Sequence, residues 1–145
     1  MLVRKIVESK KIADIITVKP DDRVTTVAQL LATKRIGAVI VSGDGAMVDG
    51  ILSERDIVRA LGTEGVGCLE KQVKELMTST VIACKLDETS HSVMERMTEG
   101  RFRHMPVVED GRLVGVISIG DVVKARISEI QVENAALADM IAGNT

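Results

Sequence analysis

The chain has 145 residues, 46% hydrophobic and 1% aromatic, with 19 Lys and Arg against 21 Asp and Glu for a formal net charge of -2. Cations dispersed through a slightly acidic chain build no field for a phosphate backbone, which argues against nucleic-acid binding, and no apolar run approaches the roughly 18 residues of a membrane span. Charge follows Met1 at once in Arg4 and Lys5, so nothing reads as a signal peptide and a cytoplasmic protein is expected.

In chain order the first element is a short helix at Val3-Arg4-Lys5-Ile6-Val7, with apolar residues at i, i+3 and i+4. An extended run follows at Ile15-Ile16-Thr17-Val18-Lys19. Next comes Pro20-Asp21-Asp22, whose acids suit the positive end of a helix over residues 23–35. Strands at Gly37–Ser42 and Val48–Leu52, joined by a tight turn at Gly43-Asp44-Gly45, predict a hairpin, and Ser53 leads directly into a helix through Ala60.

After the glycine-containing joint Gly62–Gly67 the same set begins again. Val73-Lys74-Glu75-Leu76-Met77 repeats the first helix, Val81–Lys85 the extended run, and Leu86-Asp87-Glu88 the acidic opening of a helix over 89–100. Arg103–Glu109 and Leu113–Ile117 repeat the hairpin, turned at Asp110-Gly111, and Ser118–Ala125 repeats Ser53–Ala60. The offset is 70 residues at Val3 and Val73, 66 at Ile15 and Val81, and 65 at Ser53 and Ser118. The length changes therefore fall in the loop Glu8–Asp14 and in the first hairpin turn, where they are tolerated.

The expected organisation is a first repeat over 1–62, a linker over 63–72, a second repeat over 73–128 and a C-terminal helical extension over 129–145. Each half, of about 60 residues, is too small to bury an adequate core alone, so the two need each other. With Phe102 the only aromatic residue, that core is built of Val, Ile, Leu, Met and Ala. In the extension, Ile127, Ile130, Ala135, Leu137, Ala138 and Ile141 can line one face, for packing on the chain's own body or for a dimer contact. Cys68 and Cys84 lack CxxC spacing and paired histidines, which predicts reduced thiols and no metal site, with Cys84 a small buried apolar group.

The repeated element that carries chemistry is Gly50-Ile51-Leu52-Ser53-Glu54-Arg55-Asp56 beside Gly115-Val116-Ile117-Ser118-Ile119-Gly120-Asp121. In each, a serine ends a strand and an aspartate sits three residues into the helix. Plain helix capping explains that pair. So does ligand binding, because a carboxylate accepts from a vicinal diol such as that of a ribose while the helix end supplies free N–H groups. Phosphates would need cations elsewhere, and Arg101-Phe102-Arg103-His104-Met105-Pro106 supplies them, with Arg103 able to present a phosphate-binding fork. The first copy reads Arg35-Ile36-Gly37-Ala38-Val39-Ile40, so Gly37 and Ala38 replace Arg103 and His104, and two quasi-equivalent clefts are expected to differ in affinity or ligand.

On these residues the chain resembles a tandem pair of cystathionine-beta-synthase (CBS) domains, a Bateman module. The resemblance is carried by the twice-used Gly-h-h-Ser-x-x-Asp-h-h, where h is apolar, by Arg-His-Met-Pro-Val-Val at 103–108 and by Lys-Glu-Leu-Met-Thr at 74–78. It implies an α/β (α+β) fold of two β-α-β-β-α repeats packed as an intramolecular pseudo-two-fold pair. It also implies two clefts for adenosyl ligands such as AMP, ATP, NAD(H) or S-adenosylmethionine. By that pattern Asp56 and Ser53 hold the ribose in one cleft, with Ile82, Ala83 and Met105 at the adenine and Arg103, His104 and, more weakly, Arg55 at the phosphate. Asp121 and Ser118 serve the other cleft with Thr17, Val18, Gly37, Ala38 and Val39.

The resemblance further implies a regulatory module, homodimeric, that binds an adenine nucleotide and signals to a separate enzyme or transporter, catalysing nothing. The alternative is a structural dimerisation module with empty clefts. A Cys84 and His104 nucleophile and base pair has no third orienting group in the sequence.

Overall fold

The computed structural model describes residues 1–10 and 15–143. The later part of the predicted Glu8–Asp14 loop and the last two residues of the C-terminal extension lie outside the described residues. The elements run α1 (Val3–Ser9), β1 (Thr17–Val18), α2 (Val24–Lys34), β2 (Ala38–Val41), β3 (Gly50–Ser53), α3 (Glu54–Glu64), a 3-10 turn (Val66–Glu70), α4 (Val73–Leu76), α5 (Ser90–Gly100), β4 (His104–Glu109), β5 (Arg112–Ser118) and α6 (Ile119–Ile141). This is a mixed α and β fold of two repeats, in which the second half reproduces the first in order except for the strand matching β1.

The first half forms a three-stranded sheet in the order β1-β2-β3, with β1 parallel to β2 and β2 antiparallel to β3. The second half keeps only the β4-β5 hairpin, and the extended run Val81–Lys85 is reduced to a single parallel bridge between Cys84 and Val107. Proline explains the loss. In the first half Ile40 N–H donates to Ile16 O at 3.3 Å, but its counterpart is Pro106, which has no N–H to give. The neighbouring bonds survive, Ser42 N to Val18 O at 2.8 Å and Val108 N to Cys84 O at 2.9 Å.

Two local expectations change. Asp22 and Glu88 do not sit in a helix's first turn. Their carboxylates instead accept from the Lys19 and Lys85 amides, closing the turn before α2 and α5, whose N-caps are Arg23 and Thr89. The second hairpin does turn tightly at Asp110 and Gly111, with φ of 51° and 77°, the left-handed pair such a turn requires. The first is a longer loop, because the Asp44 carboxylate accepts from the Ala46 and Met47 amides, both at 2.9 Å, and holds the chain open.

The core is divided in two, and the short helices cross over. Val3 and Ile6 of α1 are buried with Met97, Met105, Ile117 and Val122 of the second half. Val73 of α4 is buried with Val27, Leu52 and Ile57 of the first. The backbone repeats the exchange: Val3 N donates to Glu88 O at 2.8 Å, and Val73 N donates to Asp22 O at 2.8 Å. Two glycines make room for it. A Cβ at Gly50 would lie 2.6 Å from Met77 Sδ, and one at Gly115 would lie 3.1 Å from the Val7 methyls.

The glycine-containing joint is itself structured: α3 runs through Gly62 to Glu64, Gly65 ends it with a φ of 81°, and the 3-10 turn buries Cys68. At the far end α6 is anchored by buried Val122 and Ala125, by partly buried Ile119 and by Glu129, which accepts from the Ser90 hydroxyl at 3.0 Å and from the N-terminal ammonium. Ile127, Ile130, Leu137 and Ile141 are exposed, the last at 87%, so beyond Glu129 the described part of the extension does not pack along the chain's own body.

Candidate functional site

Ser53 ends β3 in extended geometry and caps α3. Its hydroxyl accepts from the Asp56 amide at 3.3 Å and donates to Asp56 Oδ2 at 3.0 Å, while Oδ2 also accepts from the Ser53 amide at 2.9 Å. Ser118 and Asp121 build the same capping box at the start of α6, with bonds of 2.8 and 3.1 Å. Capping is thus real in both copies, and it fixes each carboxylate at a helix N-terminus. What surrounds the two carboxylates differs.

Beside Asp56 lies a cavity of about 350 Å³, within the range of small-ligand sites. The first half lines it with Gly37, Ile51 and the turn Ser53–Asp56, then Arg59. The second half contributes Thr78, Thr80, Val81 and Ile82, which follow the crossed-over α4, and the run Gly100–His104. Asp56 therefore shares one cavity with the cations of the other repeat. Arg55, Arg59, Arg101 and Arg103 line it against Glu54 and Asp56, and Arg55 Nη1 donates to Arg101 O at 3.3 Å.

Of the residues expected in this cleft, Ser53, Arg55, Asp56, Ile82, Arg103 and His104 line it. Met105 does not: successive residues of a strand face opposite ways, so with His104 toward the cavity Met105 points into the core, fully buried. Ala83 is also off the wall, its carbonyl accepting from Arg96 Nη1 at 3.0 Å. Gly37, expected in the other cleft by its match to Arg103, lines this one instead. A Cβ there would come within 3.0 Å of the His104 ring, so the glycine is what lets the imidazole reach the wall.

Burial pushes the His104 pKa below its usual value, aided by the Lys10 and Arg103 charges and opposed by Glu54 and Asp121. At neutral pH the ring offers a hydrogen bond and not a positive charge. Ile51, Glu54, Arg59, Thr78, Thr80, Val81, Gly100, Arg101 and Phe102 also line the cavity without having been assigned to it from the sequence, although Thr78 ends the recognised run at 74–78.

The second carboxylate is engaged. Lys10 Nζ donates to Asp121 Oδ2 at 2.7 Å and to Val116 O at 2.9 Å. Burial raises the Asp121 pKa, but the Lys10 ammonium and the Ser118 amide outweigh it and hold the acid below its ordinary value. Of the groups expected beside Asp121, Val18 and Val39 are in the first-half core, while Thr17 and Ala38 are half-buried in β1 and β2. None of the four belongs to the cavity.

The thiol suggested as a nucleophile is unsuited to it. Burial, with the nearby Glu88 charge, pushes Cys84 up to about 12, so it is a neutral thiol packed in the second core. Among the described residues no group of His, Cys, Asp and Glu is placed to hold a metal ion, and no helix is long and apolar enough to cross a membrane.

Comparison with known proteins agrees with this architecture. The CBS domain profile matches twice, over residues 3–63 and 73–128. A crystal structure of a CBS-domain-containing protein from Agrobacterium tumefaciens is similar with a TM-score of 0.82 and 46% identity, covering 87% of this chain and 99% of that one. A CBS-domain protein from Pyrobaculum aerophilum complexed with AMP is similar with a TM-score of 0.73 and 26% identity, covering 83% of this chain and 89% of that one. The mitochondrial CBS domain-containing protein CBSX3 of Arabidopsis thaliana is 32% identical over 127 residues, 85% of this chain, which spans 62% of that relative's length. With a repeated fold, two capping aspartates and a family profile covering both halves, the chain belongs to the CBS-domain family as a tandem pair.

Proposed function

We propose that the Asp56 cleft binds an adenine nucleotide, AMP, ATP or NAD(H), and that its occupancy is a regulatory signal to a separate partner protein. The ribose diol hydrogen-bonds to Asp56 and Ser53, the base lies against Ile82, and the phosphates meet Arg103 and the neighbouring Arg55, Arg59 and Arg101, with His104 donating a neutral hydrogen bond. One observation carries this reading: a single cavity is lined by a fixed carboxylate from the first repeat and by four arginines, Arg55 and Arg59 from that repeat and Arg101 and Arg103 from the other. A nucleotide spanning both would favour whichever arrangement of the halves brings the two sets of groups to its own length, and that differential affinity is the signal. The AMP complex of the Pyrobaculum relative supports an adenosyl ligand.

A second copy of the chain is the expected assembly partner, because Val58 of α3 and its repeat counterpart Val123 of α6 are both exposed, at 66% and 40%. Two like apolar helix faces suit an isologous two-fold contact.

Calorimetric and thermal titration of the purified protein with AMP, ATP and NADH tests the nucleotide reading. At a hundred times the dissociation constant, ligand adds about 2.7 kcal/mol, which for a chain of this size raises Tm by roughly 5–10 °C. Asp56→Ala should remove most of that rise. Absence of any shift with all three ligands would leave a structural dimerisation module with empty clefts.

A further inference from the structure

The two repeats place different residues at the same point of their clefts. α1 and α4 are related by the 70-residue offset of Val3 and Val73, and Lys10 and Thr80 each lie seven residues beyond those valines. Each follows a short helix that crosses to the other half, and each arrives beside the capping aspartate found there. Thr80 lines the open cavity at Asp56, whereas the Lys10 ammonium donates to Asp121 Oδ2 at 2.7 Å and to Val116 O at 2.9 Å. Val116 is the repeat counterpart of Ile51, a wall residue of the open cleft.

Resting on the nucleotide reading of the Asp56 cleft, we infer that Lys10 closes the Asp121 half-site, so that the chain takes one adenosyl nucleotide and takes it at Asp56. The physical argument is competition for one acceptor. A ribose hydroxyl is a neutral donor, and a charge-assisted ammonium bond of normal length is roughly twice as strong. The lysine is also tethered to the same chain, so it is present at high effective concentration. Both partners are only half-buried, with 27% of each side chain exposed, so removing the lysine leaves a carboxylate that water or a ligand can reach.

Two measurements test this. In calorimetry with AMP and with ATP, the wild-type chain should bind one equivalent and Lys10→Met two, and adding Asp121→Asn to Lys10→Met should return the count to one. Two equivalents on the wild type, or one on Lys10→Met, would overturn the inference while leaving the nucleotide reading intact. No binding by the wild type would instead remove the nucleotide reading itself.

The second measurement needs no ligand. Under limiting reductive methylation read by peptide mass spectrometry, Lys10 should modify at least tenfold more slowly than the exposed Lys34, and Asp121→Asn should abolish that protection. Equal rates for the two lysines in the wild type would sink the closure directly.

Discussion

Replacing Gly50 by alanine probes the crossing of α4 into the first half, and Gly115→Ala supplies an internal control. At Gly50 the new methyl would meet Met77 Sδ at 2.6 Å and the Thr78 carbonyl oxygen at 2.9 Å. The thioether can swing away, but the carbonyl cannot, because it is one half of a reciprocal pair: Ile51 N to Thr78 O at 3.0 Å and Thr78 N to Ile51 O at 2.9 Å. Relief requires parting that pair, at about 1 kcal/mol for each backbone bond, along with an overpacking penalty of about 1–3 kcal/mol. The lower unfolded-chain entropy of alanine returns somewhat under 1 kcal/mol. A net loss of about 2–4 kcal/mol follows, or roughly 5–12 °C in Tm. At Gly115 the methyl meets only the Val7 methyl carbons at 3.1 Å, which a small shift of α1 relieves, so the loss should stay within about 1 kcal/mol. Urea and thermal unfolding of the two variants measure the difference, and amide exchange at Ile51 and Thr78 should quicken in Gly50→Ala alone. Equal destabilisation of the two, or a Gly50→Ala loss below about 0.5 kcal/mol, would refute the assignment of the contact.

Arg103→Ala should weaken AMP by about 10- to 100-fold, the scale of a lost charge-assisted bond to phosphate, while changing adenosine less than twofold; parallel titrations give the ratio, and an unchanged ratio contradicts a phosphate role. The depressed pKa of His104 means that the folded chain takes up its proton less readily than the unfolded chain. Its stabilising contribution is therefore complete above about pH 6.5 and is lost as pH falls through the folded value, so wild type should lose more Tm than His104→Gln between pH 7.5 and 5. With its pKa pushed up to about 12, Cys84 should react with iodoacetamide at pH 8 roughly a thousandfold more slowly than a free thiol, and its labelling should track global unfolding in urea.

Much of this molecule is legible in the residues alone, since short-range rules govern it. The Asp110-Gly111 turn, both capping boxes and the repeat itself follow from spacing, and the family resemblance adds Ser53, Asp56 and Arg103 as neighbours in one cleft. What stays hidden depends on partners distant in the chain. Lys10 meets Asp121 across 111 positions, and nothing in the pattern around either residue announces the other. The crossing of α1 and α4 is hidden for the same reason, because an amphipathic stretch says which face is buried but not against which half. Met105 shows a subtler limit: the run Arg103-His104-Met105 is recognisable as a unit, yet strand alternation sends its members to opposite sides. Pro106 could have been read in advance as removing the ladder bond that costs the second half its third strand.

Because α1 and α4 trade places, the units that fold are not the units that the gene would be cut into. A fragment ending at Glu64 keeps the chain's first helix and lacks the one its own sheet requires, and the complementary fragment has the opposite deficiency. Expressed separately, each piece would present a vacated apolar groove and an orphan helix that fits the other's groove. Mixed together, the two should reassemble by mutual insertion. A split version of this protein is thus a ready two-component complementation pair, with the nucleotide cleft restored only when both pieces have joined.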